Sequence, residues 1–174
     1  MDTITERNHG ILFMKLSEQL PMLFGYQHCG VLFVDNKDGM LYSMSVETTF
    51  DNSPYVASVV KYPSNLGLTG IAHSKGPGTV VRSDLGGKDY RFLNDIDNLA
   101  GVPQVRNLLV GVIGSKDGEV TGVIHLLNKE DKNGISPRDE VASRVEAGVR
   151  PTGRAFVRCV GVPVVSAACF RDGG

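Results

Sequence analysis

The feature that most constrains the fold is an apolar strand that leads into a strongly signalled helix start. The mainly apolar segment 122–127 ends shortly before Lys129, and a short polar loop follows it. Ser136 then suits a helix N-cap, Pro137 the first helical position, and Asp139 the acidic position of a capping box. A lysine that ends a buried strand can pair with this acid across the loop. The sequence therefore predicts an ion pair between Lys129 and Asp139, the alternative being an ordinary junction with a solvated lysine.

Hydrophobic alternation and turn residues predict an antiparallel sheet. Six segments have strand patterns: 28–34, 40–46, 58–62, 79–82, 107–115 and 120–128. The first two and the last two are joined by short polar turns that contain glycine, so each pair forms a hairpin. Predicted helices precede the first of these strands and follow the last. The pattern therefore predicts an α+β domain with helices on one face of a six-stranded antiparallel sheet. The long connections 64–76 and 84–105 then have to cover the other face, as ligand-covering loops do.

The N-terminal segment predicts a long helix and a way to form a dimer. Residues 4–24 have helical periodicity, and their apolar stripe contains Leu12, Leu16 and Leu20. Pro21 is expected to kink or restart this helix. Because the stripe is wider than one sheet face needs, we expect the helix to pair with the same helix of a second copy and give a homodimer.

The segment 143–174 differs from the preceding part of the chain. Helix-breaking residues recur in it at short intervals: Gly148, Pro151, Gly153, Gly161 and Pro163. Val157, Cys159 and Val165 have the spacing of a strand, but no element is firmly predicted. The chain therefore divides into a domain over residues 1–142 and a divergent or disordered tail over residues 143–174.

Composition excludes several classes of function. A net charge of −1 and a pI near 6.4 give no electrostatic reason to expect nucleic acid or an anionic membrane surface as a partner. No apolar stretch is long enough to span a bilayer, and no signal-peptide pattern is present. The three cysteines, Cys29, Cys159 and Cys169, are scattered, so we expect no disulfide framework and a cytoplasmic location. Cys29, inside an apolar strand, is expected to be a small core residue.

No catalytic or metal-binding pattern is present. The four histidines share no metal-ligand spacing, and no nucleophile–base set is legible, so we expect neither an enzyme nor a metal site. Gly67 and Gly70 open a predicted helix whose free N–H groups suit an anion, although the glycines alone are also explained by a tight turn. His125 has two interpretations as well. It either faces a pocket or is a core histidine with its hydrogen bonds satisfied.

The motifs in their order along the chain resemble the GAF domains of cyclic-nucleotide phosphodiesterases. The similarity covers roughly residues 10–142. Its signature positions are Asn128, Lys129, Ile135 (usually Phe in the family), Asp139 and Glu140. The other similar stretches are 63–76, 79–84, 89–92, 95–97 and 106–113. The final long amphipathic helix of the family has no counterpart in the sequence, and this puts the usual helical dimer contact in doubt.

The resemblance implies a pocket for a cyclic nucleotide, cAMP or cGMP, as an allosteric ligand and no other cofactor. The positions that match the family's pocket are Gly30, Val46, Glu47, Leu68, Thr69, Tyr90, Val105 and His125. The phosphate is expected at the helix that starts near Leu68. Tyr90 is expected to flank the base, and Glu47 to accept a hydrogen bond from its amine.

Three classes of function follow from these observations. The first is a regulatory domain that binds cAMP or cGMP and controls an attached output domain, as in a cyclic-nucleotide phosphodiesterase. The second is a GAF domain that binds no nucleotide and serves as a dimerisation module. The third is a GAF-type reductase of free methionine sulfoxide, which requires reactive cysteines clustered at the pocket. The scattered cysteines argue against this third class.

Overall fold

Most of the described chain forms one antiparallel sheet flanked by helices. The structure, a computed structural model, describes residues 3–115, 117–142, 145–149 and 155–159. The helices are α1 (Thr3–Phe24), α2 (Gly67–Lys75), α3 (Asn94–Asp97) and α4 (Pro137–Ala142). The strands are β1 (Tyr26–Val34), β2 (Leu41–Thr48), β3 (Pro54–Tyr62), β4 (Val80–Ser83), β5 (Leu108–Gly114), β6 (Val120–Lys129), β7 (Val145–Val149) and β8 (Ala155–Cys159). The predicted α+β fold class is confirmed.

The six predicted strands lie in the order β3-β2-β1-β6-β5-β4, and every neighbouring pair is antiparallel. β6 is central, and at its middle His125 pairs with Gly30 of β1 on one side and with Val110 of β5 on the other. All residues of β5 are buried, because this strand is covered on both faces. Its unbroken apolar run is typical of such a strand.

Each face of the sheet carries its own apolar core. On one face, Leu16 and Leu20 of α1 pack with Val31, Ile124 and other strand residues. On the opposite face, Leu68 and Ala72 of α2 pack with Val110 and neighbouring strand residues. The second face is also covered by residues of the segment 84–105, among them Ile96, Val102 and, partly buried, Leu99. The long connections therefore cover the face that the sequence assigns to them.

The structure bears on two expectations for the N-terminal helix. α1 continues through Pro21 to Phe24 as one helix, so it does not restart there, and it packs along the first strands. Leu16 and Leu20 are buried against the sheet and so are not free to pair with a second copy. Leu12 belongs to a stretch whose side chains lie outside the described part of the chain. The large apolar side chains exposed on the described part of α1 are Met22 and Leu23, which are 84% and 46% exposed.

Two strands lie within the segment that the sequence assigns to a divergent or disordered tail. Within residues 143–174, β7 and β8 pair antiparallel, and Val157 and Cys159 lie in β8. β7 joins the sheet in parallel with β5, where Gly114 pairs with Glu146. The prediction for Val165 lies outside the described residues.

The predicted junction between β6 and α4 is present. Lys129 Nζ lies 2.6 Å from Asp139 Oδ1, and both side chains are 13% exposed. The ammonium group also donates a hydrogen bond to the carbonyl oxygen of Phe24 at the end of α1 and lies 4.9 Å from the centroid of the Tyr26 ring. Ser136 and Asp139 form the capping box, because Asp139 Oδ2 accepts from Ser136 N at 2.7 Å and Asp139 N donates to Ser136 Oγ. One lysine therefore joins β6, α1 and α4.

Replacing Asp139 by Asn should lower the free energy of unfolding by about 1–3 kcal/mol at neutral pH, because Lys129 loses its partner while it stays mostly buried. Urea denaturation measures this. The matched control is Glu130→Gln on the same loop, where the exposed carboxylate should contribute within about 0.5 kcal/mol. Equal stability of wild type and Asp139→Asn would contradict the structural importance of the pair.

The contribution of Asp139 to the free energy of unfolding should depend on pH. Burial raises the pKa of Asp139. The hydrogen bonds from Lys129 and Ser136 lower it by more than burial raises it, so the pKa lies below the ordinary value of 3.8. A carboxyl group with a depressed pKa in the folded state stabilises above its unfolded-state pKa and loses this contribution as the pH falls. The difference between wild type and Asp139→Asn should therefore shrink as the pH is lowered below 3.8.

Candidate functional site

The start of α2 is occupied by the carboxylate of Asp97. Oδ2 of Asp97 accepts from Leu68 N at 2.9 Å, and Oδ1 accepts from Thr69 N at 2.9 Å and from Thr69 Oγ1 at 2.6 Å. Oδ2 also accepts from Leu93 N at 2.9 Å, just before α3. An anion is thus bound at the helix N-terminus where the sequence predicts a phosphate, but it belongs to the protein itself.

The local sequence explains why α2 needs a cap from elsewhere. Its N-cap residue is Leu66, which offers no side-chain hydrogen bond to the free N–H groups. Gly67 has a φ of +65°, and a Cβ at this position would collide with the carboxylate of Asp97. A Cβ on Gly70 would collide with the backbone of Asn65. The glycines therefore allow a tight turn and also bring the backbone close to an anion, so both interpretations of the glycine motif apply.

The Asp97 carboxylate is fully buried and held without a cation. Its exposed fraction is 0%, and no lysine or arginine in the part of the chain that the structure describes forms an ion pair with it. Burying an unpaired carboxylate is costly unless hydrogen bonds replace its water. The four donors and the positive end of the α2 dipole supply this stabilisation. This part of the fold is therefore built to hold a negative charge.

His125 extends the same hydrogen-bond chain into the middle of the sheet. Its Nε2 lies 2.8 Å from Thr69 Oγ1, and its side chain is completely buried. Burial lowers the pKa of His125 to about 4, although the nearby charge of Asp97 acts in the opposite direction, so the ring is neutral near pH 7. The Thr69 hydroxyl donates its hydrogen bond to Asp97, so in the contact with His125 the ring Nε2 is the donor and Thr69 Oγ1 the acceptor. The other ring nitrogen, Nδ1, then carries a lone pair.

Nδ1 of His125 is a buried acceptor that receives no hydrogen bond from the described protein groups. It faces β1 at Gly30, where a Cβ would lie 3.5 Å from Nδ1 and 3.1 Å from Cβ of Leu99. The absence of a side chain at Gly30 thus lets Leu99 pack over the strand beside the imidazole. A buried acceptor without a donor costs about 1–3 kcal/mol, so this position is suited to a group with an N–H or O–H.

The predicted ligand-binding residues fall into two groups. Gly30, Leu68, Thr69 and His125 come together around Asp97 and Leu99, and Val105 packs on the same apolar core. The other three are placed apart from this group: Val46, Glu47 and Tyr90.

Physical reasons account for the three residues that lie apart. Val46 packs in the core on the α1 face of the sheet. Glu47 follows it on the strand and is exposed, and its carboxylate accepts a hydrogen bond from the Tyr55 hydroxyl at 2.7 Å. Tyr90 is 94% exposed. Its neighbour in sequence, Asp89, is buried. The roles expected for Glu47 and Tyr90 at a base are therefore not supported by their positions.

Asp89 organises the loop that carries Tyr90. Its carboxylate accepts from Ser83 Oγ at 2.7 Å and from two nitrogens of the Arg91 guanidinium at 2.9 and 2.7 Å. The hydrogen bonds from Arg91 hold the pKa of Asp89 well below its usual range, against the opposing effect of burial. The hydrogen bond from Ser83 ties the loop to β4, and Tyr90, which lies between the two ion-paired residues, faces solvent. The ion pair lies at the sheet edge and has a structural role.

Sequence reasoning missed Asp97 and Leu99 as site residues. In the sequence, Asp97 belongs only to the stretch 95–97 that is similar to the family, and its contacts with Leu68 and Thr69 span 29 and 28 residues. The available signal was a helix start with no capping side chain at Leu66, because such a helix needs an acceptor from another segment.

The described residues contain no group of three or more His, Cys, Asp or Glu side chains that could hold a metal ion. Cys29 is a free thiol that packs partly against the α1-side core, and burial raises its pKa, which disfavours the reactive thiolate. Among the described residues, no helix is long and apolar enough to cross a membrane.

No family model matches the chain, and no curated protein matches its sequence. Several solved structures are similar to it, and two of them are GAF domains with the following scores. One is the GAF domain of A. aeolicus nlh2 in an inactive state, with 18% identity and a TM-score of 0.46 over 75% of this chain and 82% of that chain. The other is the GAF domain of a two-component sensor histidine kinase from Bacillus halodurans, with 18% identity and a TM-score of 0.44 over 80% and 84%. Neither similarity carries a function to this chain.

The assigned state of His125 predicts how stability changes with pH. A histidine whose folded pKa is lowered from 6.5 to about 4 binds its proton more readily when unfolded. Stability should therefore fall as the pH drops through this window, by on the order of 3 kcal/mol in total. Urea denaturation between pH 7 and pH 4 measures this loss.

The matched variants separate this histidine from the other titrating groups. His125→Gln should lose the part of the slope that lies between these two pKa values, and His73→Gln on α2 should keep it. Long-range ¹⁵N–¹H spectra should show the proton on Nε2 at pH 7. A proton on Nδ1, or a titration midpoint at the ordinary value, would contradict the assignment.

Proposed function

We propose that this chain is a GAF-type regulatory domain of a cytoplasmic signalling protein, and that it binds a small molecule on the α2 face of its sheet. The candidate ligand is a cyclic nucleotide, cAMP or cGMP, which acts as an allosteric effector rather than as a substrate. The proposal assigns no catalytic residue to the chain. The order of motifs along residues 10–142 and the α+β fold support the family, and the phosphodiesterase context rests on the sequence resemblance alone.

The observation that carries the proposal is the buried carboxylate at the start of α2. The donors from Leu68 and Thr69 hold a negative charge with no cation paired to it among the described residues, and this is what a phosphate-binding helix N-terminus requires. A ligand phosphate that takes this place would accept the same hydrogen bonds. Its binding would be weakened by the need to remove Asp97, so we expect modest affinity.

Calorimetric titration of the wild-type chain with cAMP and cGMP tests the proposal. We expect saturable binding below millimolar concentration for at least one of them. In parallel ¹⁵N–¹H spectra, the amides of Leu68 and Thr69 should shift along the same binding curve. The amide of Glu130, which lies on an exposed loop, serves as the control and should not move. No heat and no shift at millimolar concentration would rule out the cyclic nucleotides.

A second candidate function is a dimerisation module that binds no nucleotide. It is favoured by two observations: the α2 face is covered by the chain's own Leu99 and Asp97, and Met22 is 84% exposed near the end of α1. The contact would then use Met22 and Leu23 rather than the buried leucines of the same helix.

Sedimentation analysis of Met22→Glu checks this second function. If α1 forms the contact, the wild type should be dimeric, and the variant should become monomeric without losing stability. Phe50→Glu is the matched control, because Phe50 is a fully exposed apolar residue in the turn between β2 and β3. A wild type that is monomeric at high micromolar concentration would exclude this contact.

A further inference from the structure

Two side chains that are close in sequence, Asp97 and Leu99, fill adjacent positions on the α2 face. Asp97 takes the anion position at the start of α2. Leu99 packs over Gly30, beside Nδ1 of His125. Thr69 links the positions, because its hydroxyl donates to Asp97 and accepts from His125. A charged position and an apolar position with one acceptor therefore form a single connected site.

The two positions suit different chemical groups of a ligand. The start of α2 offers backbone N–H groups of Leu68 and Thr69 and the Thr69 hydroxyl, which suits an oxyanion. The position under Leu99 is apolar apart from Nδ1 of the fully buried His125, an acceptor that receives no hydrogen bond from the described residues. The aliphatic side chain of Leu99 has no donor to offer, whereas a heterocycle with an N–H would satisfy this nitrogen.

The residues around Asp97 and Leu99 are held together as one unit. Between them, Asn98 uses its side-chain amide to bond the carbonyl and the N–H of Val102, at 2.9 Å each, and Asn94 Oδ1 at 2.9 Å. Asp97 itself accepts from Leu93 N. Removal of Asp97 and Leu99 from the site would therefore shift the whole segment 93–102.

We propose that the segment 97–99 is an internal occupant of a binding site for a small molecule that carries an oxyanion and, on an attached flat ring, an N–H donor. The ligand replaces the Asp97 carboxylate with its oxyanion and the Leu99 side chain with its ring, and the ring N–H donates to His125 Nδ1. Binding expels the segment 93–102 from the face of the sheet. This inference rests on the proposed function only in that it takes the α2 face as the binding face.

Variants that weaken the occupant should bind ligand more tightly. Asp97→Asn places a side-chain NH₂ against backbone N–H donors and so loosens the anion position. Leu99→Ala removes the group above Gly30. The probes are cGMP, cAMP, the neutral nucleosides guanosine and adenosine, and inorganic phosphate. The matched controls are Asp95→Asn, an exposed acid on the same helix, and Leu85→Ala, whose side chain is 63% exposed on the same connection.

Because the segment leaves the sheet as one unit, we expect Asp97→Asn to raise the affinity for inorganic phosphate, nucleosides and cyclic nucleotides alike, by about tenfold or more. Leu99→Ala should raise the affinity for the same probes, because it also weakens the packed state of the segment. His125→Phe combined with Leu99→Ala should cancel the gain for nucleosides, because the acceptor is lost. The control variants should bind as the wild type does.

Several outcomes would overturn the inference. One is equal affinity of wild type, Asp97→Asn and Leu99→Ala for every probe, since the segment 97–99 would then not compete with the ligand for the site. A second is tighter nucleoside binding that survives the loss of the His125 imidazole. If Asp97→Asn does not fold, the Leu99→Ala series and hydrogen exchange of the wild-type amides decide. The Leu93 amide should exchange faster when ligand is bound, and unchanged exchange at saturation contradicts expulsion.

Failure of the cyclic-nucleotide function and failure of this inference are distinguishable. If phosphate shifts the Leu68 and Thr69 amides of Asp97→Asn while no nucleotide binds any variant, the internal occupant is supported and the cyclic nucleotides are excluded. If cyclic nucleotides bind wild type and variants alike, the function holds and the inference fails.

Discussion

The buried carboxylate of Asp97 is the interaction on which the α2 face depends. It caps a helix whose own N-cap residue, Leu66, has no suitable side chain. It fixes the hydroxyl of Thr69 as a donor, and this in turn sets the tautomer of His125 in the middle of the sheet. A single charged group thereby defines the start of α2, the position of α3 and the protonation pattern of a buried histidine. Loss of the charge would leave several buried donors unpaired, which is far more costly than the loss of one surface contact.

A second set of contacts connects this face to the helices at the other side of the sheet. Asn128 accepts from Arg106 N at 2.8 Å and donates to the Gln104 carbonyl at 2.9 Å, so it anchors the far end of the connection that carries Asp97. The next residue, Lys129, bonds the last turn of α1 and pairs with Asp139 of α4. The far end of this connection and the last turn of α1 are therefore held by neighbouring residues of β6. This is a physical connection between the two faces, and its coupling free energy is a quantity for measurement.

The contrast between sequence and structure follows from the range of the interactions. Strand periodicity is local, so the six strands of the antiparallel sheet could be predicted, and the capping box around Ser136 could be predicted for the same reason. The interaction of Asp97 with α2 crosses 29 residues and has no local pattern. The placement of Val46 and Glu47 in one pocket conflicts with strand alternation, since neighbouring residues point to opposite faces. Val46 accordingly packs on the α1 face, whereas Gly30, Thr69 and His125 meet on the α2 face.

The closed arrangement also limits what any ligand can achieve. An effector shifts the population only by the difference between its affinities for the open and closed states. Hydrogen bonds to a charged group contribute about 1.5–3 kcal/mol each, but a phosphate at the start of α2 would regain those that Asp97 gives up. The net cost of opening is therefore set by the Asp97 hydrogen bond to Leu93 and the packing of the partly buried Leu99, and the conformational freedom that the segment 93–102 gains on release offsets part of it. Against these terms, a ring that donates to His125 Nδ1 adds an interaction that the closed state lacks. This one acceptor gives a ligand its advantage over the protein's own side chains.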